Sequence, residues 1–117
     1  MTAETFRTLV LQLPGVVEHA HMGHPDFRAN GRIVASLQAD DEWGMVKVQP
    51  AEQQALIAEH PTMFVPAAGA WGRKGCTMVK LHAAKPAVVR GALVLALELV
   101  NTLPPPKKRA AKSALRR

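Results

Sequence analysis

The sequence has no tyrosine, and its three phenylalanines and two tryptophans make aromatics only 4% of 117 residues. Any interior it builds is therefore aliphatic. It has a single cysteine, Cys76, which excludes an intramolecular disulfide framework. No run of ~18 apolar residues free of charge occurs, so no membrane-spanning helix is expected. Residues 1–13 lack a basic segment ahead of an apolar stretch and a small-residue cleavage site. A secretory leader is thus not expected, and a reducing cytoplasm is the default. Acids are missing from the last 14 residues, which hold Lys107, Lys108, Arg109, Lys112, Arg116 and Arg117. Without those six cations, nine Lys and Arg face nine Asp and Glu, so the net charge of +6 belongs to the tail. G-x-S-x-G, H-E-x-x-H, a phosphate-binding glycine-lysine loop and a dinucleotide fingerprint are also missing. The expectation is a non-enzymatic domain without a cofactor.

What is present is 48% apolar residues, enough for one compact core. Phe6, Leu9, Val10 and Leu13 recur at helical spacing, with Thr2 as cap and Pro14-Gly15 as stop. Residues 16–22 and 26–29 read as strands. Asn30-Gly31 is a strong hairpin signal, because both residues accept positive φ. Ile33, Ala35 and Leu37 alternate with more polar neighbours, and residues 43–48 return after the acidic turn Asp40-Asp41-Glu42. A surface helix is expected from Pro50 to His60, and a short extended piece over residues 63–66. Three glycines make residues 67–75 a loop. Residues 76–81 alternate as a strand. The longest helix runs over residues 85–100 and is stopped by Pro104-Pro105-Pro106. This order predicts an α+β sandwich, an antiparallel sheet covered by the first and last helices. The domain spans residues 1–103, followed by a basic tail, 104–117, expected to be disordered.

Several segments carry a resemblance in their order and spacing. They are Leu13-Pro14-Gly15, Gly23-His24-Pro25-Asp26-Phe27-Arg28, Gly31-Arg32-Ile33, Pro61-Thr62-Met63-Phe64-Val65-Pro66-Ala67 and Gly69-Ala70-Trp71-Gly72-Arg73-Lys74-Gly75. Together, over roughly residues 4–100, they resemble the MmcQ/YjbR family of small bacterial proteins. The resemblance implies a CyaY/frataxin-like two-layer fold and a double-wing DNA-binding role. It departs at Cys76, where members of the family often carry tryptophan.

Two basic, glycine-containing turns fit such wings. In the first, Arg28 and Arg32 flank the hairpin tip, and Asn30 can bond a base edge or phosphate. In the second, Arg73 and Lys74 supply charge beside Trp71, which can stack on a base. Lys107, Lys108 and Arg109 of the tail would add sequence-independent phosphate contacts. The expected partner is DNA, bound weakly. The bland alternatives are solvated arginines and a Trp71 that plugs the core. A rival function is a small-molecule or protein-binding module using a sheet face or a cleft at Trp71. His19, His21 and His24 form a further candidate, a three-imidazole zinc site, although the spacing matches no recognised metal motif. Cys76 with a nearby histidine is the only nucleophile–base pair available, and it is expected to be partly exposed.

Overall fold

The computed structural model describes residues 1–21 and 24–104. Helix α1 (Ala3–Leu11) starts where the Thr2 hydroxyl accepts from the Thr5 amide at 3.1 Å. Strands β1 (Val17–His21), β2 (His24–Ala29), β3 (Arg32–Leu37) and β4 (Trp43–Lys47) follow as an antiparallel meander. Helix α2 (Pro50–Glu59) opens on proline, with a reciprocal capping box between Gln49 and Glu52. Then come β5 (Phe64–Pro66), α3 (Gly69–Arg73), β6 (Cys76–Lys80) and the long α4 (Pro86–Thr102). The six strands form one sheet in the order β1-β2-β3-β4-β6-β5, antiparallel throughout.

Phe6 and Val10 of α1 and Val89, Ala92, Leu93, Ala96 and Val100 of α4 are buried against one sheet face. From the sheet come Phe27, Ala35, Val46 and Val79. The two-layer α+β architecture read from the sequence is therefore the one observed. Gly44 lets the Phe6 ring lie flat on β4, since a Cβ there would sit 2.9 Å from the ring.

The β2–β3 register shifts between Phe27 and Arg28: Phe27 faces Ala35, whereas Arg28 faces Ile33. Val34 is the extra residue of a bulge, so Val34 and Ala35 are both buried while Ile33 is exposed. Pairing of β3 with β4 covers only residues 35–37 against 44–46.

One local expectation fails. Residues 67–75 are not all loop, because Gly69 to Arg73 form a short helix. Tertiary contact overrides the poor helical tendency of glycine. Gly72 packs so closely on Ala67 that a Cβ would lie 1.9 Å from its carbonyl oxygen. The buried Gln53 amide then donates to the Gly72 and Cys76 carbonyls at 3.1 and 3.0 Å, tying α2 to α3 and β6.

Candidate functional site

The hairpin tip is built as its sequence dictates. Asn30 and Gly31 take φ of 55° and 74°, the paired positive values of a type I′ turn. The fold then engages each polar side chain there. The Asn30 amide donates to the Val100 and Leu103 carbonyls at 2.8 and 3.1 Å, closing the C-terminal end of α4. Arg32 donates through Nε and Nη2 to the Pro104 carbonyl at 3.3 and 2.8 Å. Arg28 grips Asp26 with two parallel bonds, 2.9 and 3.2 Å. Asp26 is only 3% exposed, so the pair offsets the cost of burying its carboxylate. The same hydrogen bonding raises the Arg28 pKa above its ordinary value.

The second turn presents its side chains differently. Trp71 is 69% exposed, so it is not a core plug. Arg73 and Lys74 are exposed beside it. Gly75, at φ 108°, brings its backbone against Val48, whose amide donates to the Gly75 carbonyl at 3.2 Å.

The two turns meet across an open cleft of about 320 Å³. It is lined by Gly31, Arg32 and Ile33 from the hairpin, by Leu99 and Val100 from α4 and by Leu103 just after it. Trp71 of α3, Met45 and Lys47 of β4 and Cys76 of β6 complete the lining. The bulge turns Ile33 outward, into the lining of this cleft. Arg32 and Trp71 therefore share a hollow. Arg73 lines a separate one with Pro50, Gln53, Gln54 and Pro66, on the α2 side of α3. The acidic turn, Asp40 to Glu42, lies at the opposite end of β3. Six strand residues put it about 20 Å from Arg32, well beyond a Debye length of about 8 Å at physiological salt.

Cys76 is 5% exposed, less open than the sequence suggests. Burial raises its thiol pKa, against a smaller opposing pull from Lys47 and Lys74. The histidines are spread along the β1–β2 hairpin. His19 faces Asp26 and His21 faces His24 in the backbone register. Among the described residues no group of three metal-ligating side chains forms, and the His21 side chain lies outside them. Lys107, Lys108 and Arg109 also lie outside the described residues.

Comparison with known proteins fixes the lineage. The YjbR family model matches residues 11–98, about three quarters of the sequence. The chain belongs to the YjbR family. The crystal structure of the Deinococcus radiodurans protein DR2400, which carries a DUF419 domain, is similar to it. The TM-score is 0.69 at 21% identity, over 85% of this chain and 78% of that one. At that identity the likeness speaks for the fold alone. No curated protein matches the chain.

In this YjbR domain, sequence reasoning found Arg32 and Trp71 but missed Ile33, Met45, Lys47 and the end of α4 as parts of one hollow. Lys47 carries a legible signal, since it alternates with Val46 and Val48 and so points away from the core. Nothing in the local sequence announces that α4 ends at the hairpin. That contact joins Asn30 to residues 70 and 73 positions away.

Proposed function

We propose that this YjbR domain is a non-enzymatic binding module that takes a small ligand in the cleft beside Trp71. The observation that carries the reading is an exposed indole lining a mainly apolar hollow, together with hairpin and α4 residues that the Asn30 and Arg32 bonds hold in place. A folded domain gains nothing in stability from a solvent-facing tryptophan, whereas a ligand gains a large flat contact. The hollow lies at the small end of the range for ligand sites. The neutral fluorophore N-phenyl-naphthylamine tests the reading directly. Saturable one-to-one binding to the full chain, abolished in Trp71→Ala with unchanged circular dichroism, supports it. Absent or unsaturable binding, or binding indifferent to Trp71, sinks it.

A second reading, DNA binding, is favoured by Trp71, Arg73 and Lys74 standing exposed around one short helix. Arg28 and Asn30 would contribute little to it, because their polar groups are already bonded within the fold. The anchored Pro104 starts the basic tail beside the same cleft, and the tail would supply most phosphate contacts. Duplex affinity measured against salt separates the parts, using the full chain, a chain ending at Pro106, and the pair Arg73→Ala with Lys74→Ala. Removing one phosphate contact flattens the log–log slope by about 0.9. If truncation removes all binding and the loop changes none, α3 is not a DNA surface.

A further inference from the structure

We infer that the ligand of the Trp71 cleft is a planar apolar anion, its ring system against the indole and its acidic group at Lys47. The inference rests on the cleft being a ligand site and adds the ligand's chemistry. The hollow is lined by apolar side chains, Ile33, Met45 and Leu103 among them, and by no acid. Two of its lining residues, Arg32 and Lys47, are cationic, and Lys74 lies close enough to influence the buried Cys76 thiol beside them. Among the described residues, none of these three cations has a carboxylate within ion-pairing distance.

The chain apart from its tail is electrically balanced, so an acid-free cationic hollow is a local departure rather than a reflection of overall charge. The acidic cluster Asp40-Asp41-Glu42 stands at the far end of β3, where solvent screens it. Low-dielectric walls strengthen the field of the uncancelled cations inside the hollow. Arg32 already gives two donors to the Pro104 carbonyl, whereas Lys47 makes no side-chain bond within the described residues. Lys47 is therefore the group left for the ligand's charge. Cys76, itself buried, lines the hollow beside Lys47. A neutral ligand would leave Lys47 with nothing to do. A highly charged, ring-free anion would leave the indole and Ile33 without a partner.

The test compares two fluorophores of one shape, anilinonaphthalene sulfonate and the neutral N-phenyl-naphthylamine, on the full chain at low salt. The sulfonate is expected to bind about tenfold tighter, the scale of one well-placed charge contact. Lys47→Met, which keeps the apolar stem, is expected to remove most of that difference. Lys85→Met, at the start of α4, serves as the charge-matched control and is expected to leave both affinities alone. If both fluorophores bind equally, or Lys47→Met and Lys85→Met act alike, the anion inference falls while the cleft stands. If the neutral compound fails to bind, the cleft reading falls and this inference falls with it.

Discussion

Replacing Asn30 separates two roles that one side chain combines. Its backbone holds φ 55° in the turn, and its amide donates to two carbonyls at the end of α4. Asn30→Gly keeps a residue at ease with positive φ and deletes both bonds. The bond to Val100 is partly buried and that to Leu103 is exposed. Their joint removal therefore costs about 1–1.5 kcal/mol. Asn30→Ala deletes the same bonds and leaves in the left-handed region a side chain without the short polar group that lets asparagine settle there, about 1 kcal/mol worse than glycine. For a domain of this size each kcal/mol lowers Tm by about 4–8 °C. The glycine variant should melt about 5–10 °C below the natural chain and the alanine variant about 10–20 °C below it. Thermal and urea unfolding followed by circular dichroism measure both, with the urea m-value unchanged if only native stability moves. A glycine variant that melts with the natural chain would show that the amide does not hold α4. Equal destabilisation of the two variants would show that the turn conformation is not the constraint. The glycine variant should also weaken N-phenyl-naphthylamine binding several-fold, because Leu103 forms part of the cleft wall that the amide secures.

Three further outcomes follow from the same geometry. Gly75→Ala puts a Cβ 1.8 Å from the Val48 carbonyl oxygen at φ 108° and should cost about 3 kcal/mol or more, read from the urea midpoint. Arg28→Ala strands the buried Asp26 carboxylate and should cost about 2–3 kcal/mol. Adding Asp26→Asn should recover part of that stability, and a double-mutant coupling below about 0.5 kcal/mol would refute the pairing. The Cys76 thiol is raised by burial, so the fold favours its protonated form. That stabilisation is complete below the unfolded thiol value of about 8.5 and is lost as pH rises from there toward the folded value. Cys76→Ala should flatten the alkaline arm of the stability–pH curve, and an unchanged arm would place the titration elsewhere.

Much of the fold is legible because its signals are local. Asn30-Gly31 dictates a positive-φ turn, Pro50 and Pro86 mark helix starts, and the Val89, Leu93, Ala96, Leu97, Val100 stripe fixes the buried face of α4. The helical turn at Gly69 to Arg73 is hidden for the opposite reason. Its stability comes from Gln53 and from an approach to Ala67 that only glycine permits, and both partners lie outside the segment. The bulge at Val34 is similarly silent. The alternation of Ile33, Ala35 and Leu37 reads as one face, yet the extra residue moves Ile33 to the other side and into the cleft. A single slip in a period-two pattern reverses every side chain beyond it, so the cleft wall is the part of the strand most easily misread.

The candidate site shows the same division between what a residue type offers and what the fold leaves free. Arg28, Asn30 and Arg32 look like a basic wing because three donor-rich side chains crowd one hairpin. The hairpin, however, lies where α4 ends, and a helix C-terminus exposes carbonyls that need donors. Asn30 meets that need, Arg32 extends it to Pro104, and Arg28 neutralises a buried acid of its own strand. Donors committed to the fold in this way define the cleft's shape more than its charge. Of the cations near Cys76, Lys47 and Lys74 close no backbone and pair with no acid among the described residues, and so are still able to answer a ligand. A search for function in such a domain is therefore better begun from the unpaired charges around an exposed aromatic than from the most basic turn in the sequence.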